Sequence, residues 1–510
     1  MRLIQILAAG VLAGSMPSAL AAYALQPFQA IPTGSMADAV ATGDINGDGL
    51  DDVVLTTTFY FDEDNDDRIF VFLQQPDGSL AAPLKLHYGL ANRTGIAMAD
   101  LDRDGRMEVV VGHGNGIAIL DWTPATLRRP SLGLKQFGTP GQAADDIAIL
   151  DVDRDGIPDV FAQDWSSGAT IFFGDGQGGI SRQVHVPTPA HGYNDLKAAD
   201  LDNDGHTDIV LLSGQGETNA YVYYNDGSDD LSAPLVISPG PPGFKVVGSL
   251  AAGDFNNDGR NDLAIQFDSD RLALYLQDDD GGLLPHGLLS SGGRANAMIG
   301  HDLDLDGRTD LVTQYGDGPL GVFMQGDDGL QEQTIASGPY ATWFNTHGVA
   351  VGDVNGDSCP DVVVANPNAG LVIHPGSGCH PVADLVPALG LTPSEVTLRL
   401  DNPGAATALD PETLLSLRVT AGRLDVGILP AACSLLDASD DSAEILCTHA
   451  PLTAGASAAS RIPVTVVGRS SRTTLQAVAG SVTGSPELKT ANNVASAVIR
   501  LTPFVPATLR

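Results

Sequence analysis

Aspartates on alternate positions of a short loop, closed by one more acid at the ninth, bring four oxygen-bearing side chains toward one point. Seven stretches of this chain have that form, D-x-[DN]-x-D-G-x-x-[DE], with a serine at the glycine position of the last copy. Their first, third, fifth and ninth residues are Asp44, Asn46, Asp48, Asp52; Asp100, Asp102, Asp104, Glu108; Asp151, Asp153, Asp155, Asp159; and Asp200, Asp202, Asp204, Asp208. The remaining three sets are Asp254, Asn256, Asp258, Asp262; Asp302, Asp304, Asp306, Asp310; and Asp353, Asn355, Asp357, Asp361. Hard divalent cations are bound by such sets: short carboxylates, a glycine where the chain bends sharply, and a main-chain carbonyl from the seventh residue. One such loop in an acidic protein reads equally well as a solvated turn. Seven in register point to cation sites, and the all-oxygen donor set selects Ca2+, up to seven ions per chain.

Charge and composition agree with this reading. The net charge of −37 is concentrated in the loops, whose ligand positions hold most of their oxygen as Asp or Glu. No basic stripe exists to neutralise phosphates, so the expectation is a chain that does not bind nucleic acid. Glycine is abundant and aromatics are scarce, which suits short strands joined by tight turns better than helices.

The loops recur about every 50 residues, a period that marks repeat architectures. Each follows a small-residue apolar strand such as Gly95–Ala99 and precedes a β-branched one such as Val109–Val111. A third strand (Ala220–Tyr224, Arg68–Leu73), an Asp-Gly turn (Asp77-Gly78, Asp226-Gly227) and a variable fourth strand complete the unit. Four antiparallel strands per repeat describe a propeller blade. Repeat seven lacks an evident fourth strand, while Leu25–Ile31 precedes repeat one as an orphan, so the N-terminal strand is expected to complete the last blade.

These repeats resemble the FG-GAP and VCBS repeats of bacterial secreted proteins and of the integrin α-subunit propeller, over roughly residues 25–380. The resemblance implies a seven-bladed β-propeller whose loops join the first two strands of each blade and bind calcium through the side chains named above. Beyond His380 the composition shifts to Ala, Thr, Ser, Leu and Val with strand-like alternation in Glu395–Leu400 and Ile462–Val467. That region reads as a β-sandwich of about seven strands. Asp401-Asn402-Pro403-Gly404, a cysteine pair and Asn492-Asn493 give it a resemblance to the immunoglobulin-like repeats of bacterial surface proteins. The expected fold is therefore all-β, a seven-bladed β-propeller (22–380) followed by a β-sandwich (381–510).

Residues 1–21 read as a signal peptide: Arg2, an apolar core from Leu3 to Ala13, and Ala19-Leu20-Ala21 for cleavage. No later apolar run reaches membrane-spanning length. The expectation is a monomer exported from a bacterium, secreted, at the cell surface or periplasmic. Export favours disulfides, and spacing pairs Cys359 with Cys379 and Cys433 with Cys447.

Function is expected on the face opposite the loops, where second-to-third strand turns and blade connections lie. Trp165, Tyr193, Trp343, Phe344 and His347 are the leading ligand-binding candidates there, with Tyr315, Tyr340, Asp164 and Asn345 nearby. Rings with polar neighbours suit a glycan or a surface protein. The same rings also serve as ordinary caps on blade ends. His113, His191 and His347 leave open a polysaccharide lyase or hydrolase, although no G-x-S-x-G, H-E-x-x-H or phosphate-binding glycine loop is present. No catalytic residue is assigned.

Overall fold

The structure is a computed structural model that describes residues 23–60, 68–87, 92–123, 131–139, 142–164, 168–186, 188, 195–213, 219–227, 234–239, 248–341, 345–380, 385–402, 404, 408, 411–453, 456–468, 473–482 and 494–501. These residues form strands, turns and irregular connections; among the described residues there is no helix.

Residues 29–374 form seven four-stranded antiparallel sheets, six of them simple meanders and the seventh completed by the first strand of the chain. Blade four shows the plan, with strands Asp195–Ala199, Asp208–Ser213, Asn219–Tyr223 and Leu235–Ile237. The second strands are the most deeply buried. Glu108–His113, Asp159–Asp164, Asp208–Ser213, Asp310–Tyr315 and Asp361–Asn366 are buried along their whole length. That burial follows from position: a blade's inner strands are covered on both faces by neighbouring blades, so they show continuous burial instead of alternation. Outer strands face water, as in Leu283–Ser290, which is mostly exposed.

Apolar cores lie between blades, not within them. Phe172 of blade three packs with Val110 and Ile119 of blade two, and Phe161 with Ile209 and Leu211 of blade four. The first and last blades meet in the same way: Val53, Leu55 and Phe70 pack against Val363, Leu371 and Ile373. The ring is therefore closed, and closure removes the exposed sheet edges that would otherwise invite aggregation. Hydrogen bonds reinforce this junction, from Thr42 Oγ1 to the Val351 carbonyl at 2.8 Å and from Val40 N to the His347 carbonyl at 2.9 Å.

Blade seven takes its outer strand from the start of the chain. Gln29–Ile31 pairs antiparallel with Gly370–His374, matching Ala30 to Val372. Upstream, Tyr23 is buried and donates its hydroxyl to the Pro360 carbonyl at 3.0 Å. The Cys359–Cys379 disulfide closes the same blade, with Cα atoms 5.7 Å apart. The second disulfide, Cys433–Cys447, joins residues directly opposite each other in a hairpin.

The C-terminal part holds two further sheets. One contains Val386–Thr392, Glu395–Asn402, Ala456–Val467 and Arg423–Val426; the other contains Cys433–Ala438, Ser442–Thr448, Glu412–Val419, Thr474–Val482 and Val494–Arg500. Inward side chains such as Leu398, Leu417, Ile445, Ile462 and Ala477 share one core. Nine strands stand where the sequence suggested about seven. Cys433–Ala438 escaped notice because it is an edge strand with almost every residue exposed, including Leu435 and Leu436, so it shows no alternation.

Candidate functional site

Each acidic loop occupies the same place. Its first residue directly follows the first strand of a blade and its ninth opens the second, as Asp200 follows Asp195–Ala199 and Asp208 begins Asp208–Ser213. The backbone is held by the acids themselves. In all seven loops the first carboxylate accepts the N–H of the sixth residue, at 2.7–2.9 Å: Gly49, Gly105, Gly156, Gly205, Gly259, Gly307 and Ser358. The fifth carboxylate accepts the N–H of the seventh residue in every copy, from 2.8 Å at Ile157 to 3.1 Å at Leu50.

Two residues per loop sit in the left-handed region. The sixth does so throughout, and so does the fourth: Gly47, Arg103, Arg154, Asn203, Asn257, Leu305 and Gly356. Glycine tolerates this conformation freely, asparagine moderately, and arginine, leucine and Ser358 at a cost. The seventh loop keeps the shared hydrogen bonds despite its serine, at φ 67°.

The ninth acid has a structural duty. Asp52, Glu108, Asp159, Asp208, Asp262, Asp310 and Asp361 are all buried. One oxygen of each accepts the N–H of the loop's second residue, at 2.7–3.1 Å. In six blades the other oxygen accepts an N–H just beyond or at the end of the third strand, as Asp208 does from Asn225 at 2.7 Å. This acid thus clips three segments of its blade together. Burial, reinforced by the neighbouring carboxylates, pushes these groups well above the usual carboxylate range despite their hydrogen bonds. Asp159, Asp208 and Asp262 rise to about 6, Asp52 and Asp310 to about 7, and Glu108 and Asp361 to about 8.

Three acidic oxygens from separate residues come within 4.8 Å of one another in four loops: Asp100, Asp102, Glu108; Asp151, Asp153, Asp159; Asp200, Asp202, Asp208; and Asp302, Asp304, Asp306. Those are the four loops with aspartate at the third position. The other three carry Asn46, Asn256 and Asn355 there. Asn256 donates its amide to Asp258 at 2.9 Å and Asn355 to Asp361 at 3.0 Å, so ligation by either residue requires the amide to turn its oxygen inward. Convergent, partly buried carboxylates with few cations among them fit a hard divalent ion, whose charge would offset their mutual repulsion. Within their own loops the arginines at the seventh position pair with the fifth-position acid: Arg106 contacts Asp104, and Arg260 contacts Asp258 at 2.6 Å.

The loops also touch round the ring. Arg154, the fourth residue of the third loop, reaches Asp204 of the fourth at 2.9 Å. Gly78, in a blade-one turn, lies so close to the Asn355 carbonyl of blade seven that a Cβ would fall 2.0 Å from it. Sequence reading missed these links and the conformation of the fourth position. Gly47, Gly356, Asn203 and Asn257 were the only signal for the latter.

Of the residues expected on the opposite face, Trp165, Tyr193, Trp343, Phe344 and His191 lie outside the described residues; the leader segment does too. Tyr340 is exposed. Tyr315 is not a rim residue: it is buried, with its hydroxyl held by Glu332 and the Gly292 N–H. His113 is buried too, bonded to the Ile117 carbonyl at 3.1 Å, which removes it as a surface base. Asp164 accepts the Ala143 N–H at 2.9 Å. His347 contacts Asp146, and Asn345 receives the His347 N–H at 3.0 Å.

Among solved structures the chain is similar to two crystal structures of BBS1N in complex with ARL6DN. The mercury-soaked one has TM-score 0.47 and 15% identity over 69% of this chain and 95% of that one; the lead-soaked one has 0.46 and 14% over 69% and 96%. A search of the curated proteins returns no match. The FG-GAP-like repeat matches at residues 44–111, 151–211, 200–265, 254–313 and 302–364, each starting on the first aspartate of a loop. Since these matches span more than half of the sequence, the chain belongs to the FG-GAP-like repeat family.

Proposed function

We propose that this is an exported, calcium-stabilised propeller whose work is to bind a glycan or a surface protein. The observation that carries it is the sevenfold recurrence of one acidic loop with one hydrogen-bond pattern, at the same strand junction in every blade. In this reading Ca2+ occupies all seven loops, including the three with asparagine. The ion acts as a fastener, because an ion enclosed by four side chains and a carbonyl leaves little room for substrate. Two disulfides accord with an oxidising compartment and with export through residues 1–21. The mature propeller then runs over 22–380, and the sandwich of 381–510, immunoglobulin-like in this reading, serves as a spacer or accessory module.

Recognition falls to the face away from the loops, with Trp165, Tyr193, Trp343, Phe344 and His347 as contact residues. The calcium-loaded chain applied to glycan and surface-protein arrays tests this directly. Selective retention of one ligand class, lost in the Trp165→Ala/Trp343→Ala variant, is the expected result. Equal retention by the double variant overturns the assignment of the face.

A further inference from the structure

The first strands of neighbouring blades contact one another all round the ring, so they line its axis, and their starting ends lie on the face away from the acidic loops. Polar groups gather at those ends. His347 precedes the first strand of blade seven, Val349–Gly352, while Asp146 opens that of blade three, Asp146–Leu150. Their Nε2–Oδ1 contact joins blades three places apart and therefore crosses the interior of the ring. Asp195, which opens the first strand of blade four, lies near enough to Asp146 for their charges to repel.

The commitments of these acids differ. Asp195 is satisfied, accepting the Leu250 N–H at 2.8 Å and contacts from Ser249 and Lys197. Asp146 Oδ1 accepts the Ile147 N–H at 2.8 Å and contacts His347, leaving Oδ2 buried with no partner among the described residues. Asp38 is the outlier. It sits at an irregularity of the first strand of blade one, where pairing passes from Ala37 to Ala39 and skips it, a device that re-aims a side chain. It is 1% exposed, and neither of its oxygens has a hydrogen-bond partner among the described residues. The Asn345 amide, at the margin of hydrogen-bond reach, and the charge of the His347 ring both favour its ionised form.

A buried carboxylate with two free oxygens is expensive to keep unless something pairs with it. The cluster carries three carboxylates against one lysine and one imidazole. Its acids are also arranged unlike those of the loops. Where four loops bring three acidic ligands within 4.8 Å, Asp38, Asp146 and His347 form no such group among the described residues. A single small ion would be poorly served. A planar cation with several donors suits better, because a guanidinium can bond both oxygens of one carboxylate at once and still reach a second.

We propose that the axial end of the propeller, on the face away from the acidic loops, is a guanidinium-binding site. Asp38 is the bidentate partner, Asp146 Oδ2 the second acceptor, and His347 a crossbar that the ligand displaces. This site is independent of the metal loops and shares only His347 with the recognition face proposed above.

Isothermal titration of the calcium-loaded full chain with Nα-acetylarginine amide tests it, with Nα-acetyllysine amide and Zn2+ as comparison probes. Saturable binding of the arginine amide is expected, weaker binding of the lysine amide, and a loss of at least tenfold in Asp38→Asn and in Asp146→Asn. Asp279→Asn, at an exposed acid, should bind as the parent does. A parent that shows no saturable heat with the arginine amide overturns the proposal. So does an Asp38→Asn variant, folded by circular dichroism, that binds unchanged, or Zn2+ binding that disappears in that variant. Should Asp38→Asn not fold, unchanged binding by folded Asp146→Asn overturns it equally.

Discussion

Replacing Asp208 and Asp202 of the fourth loop separates the two roles that the acids combine. Asp208 is fully buried and accepts the Leu201 and Asn225 N–H groups, each at 2.7 Å. In Asp208→Ala both donors are left buried without a partner. At roughly 1–3 kcal/mol each this costs on the order of 2–6 kcal/mol, whether or not an ion is present. Asp202 is half-buried and its one recorded acceptance, from the Asp204 N–H, is long at 3.2 Å. Asp202→Ala should therefore forfeit only what the ion adds at that loop, about 3 kcal/mol at a free calcium concentration one hundred times the dissociation constant. The assay is denaturant unfolding followed by tyrosine and tryptophan fluorescence, in excess Ca2+ and in excess chelator. Asp202→Ala should match the parent in chelator and fall below it in calcium; Asp208→Ala should fall below the parent in both. An Asp208→Ala variant as stable as the parent in chelator would refute the clip, and an Asp202→Ala variant as stable as the parent in calcium would refute the ligand role.

Other perturbations follow from particular geometries. Ser358→Gly relieves a serine held at φ 67° and should stabilise the seventh loop by about 1 kcal/mol, visible as a higher melting temperature; an unchanged or lower melt contradicts that account. Cys359→Ser/Cys379→Ser opens a loop of separation 20 in the blade that closes the ring and should cost about 3 kcal/mol by the same unfolding assay, with no loss expected only if the bond is already reduced, which thiol titration reads. Asp38→Asn tests a pH dependence. Burial raises Asp38 from 3.8 to about 7, with Asn345 and His347 opposing the rise, so its ionised form burdens the folded state above pH 7 and the burden lifts as pH falls toward 4. The variant should be more stable than the parent by on the order of 4 kcal/mol at pH 8 and equal to it near pH 4. A stability difference independent of pH would show that Asp38 is not the group responsible.

Much of this architecture could be read from the residues because one periodic signal dominates. Seven acidic loops fix where the first strand of each blade ends and where the second begins, and the orphan segment before repeat one pairs with Gly370–His374. What escaped notice has no local signature. The inward turn of Asp38 depends on how the strand Ser35–Gly43 pairs with Asp52–Tyr60, and nothing in the short run around it announces the irregularity. The contact between His347 and Asp146 joins residues 201 apart in sequence that meet only once the ring closes. Tyr315 and His113 look like surface residues by their neighbours, yet both end buried strands. The edge strand Cys433–Ala438 carries exposed leucines where alternation would be expected, so its cysteine was more informative than its pattern.

The most direct measurement is the calcium content of the chelator-stripped full chain on titration with Ca2+, read by equilibrium dialysis with elemental analysis and paired with thermal melts. One ion for each of the seven loops, one fewer in Asp202→Ala, and a melting temperature that climbs with occupancy are the predicted results. A stripped chain that takes up no calcium saturably, or that melts at the same temperature with and without it, would contradict the reading of these loops as cation cages.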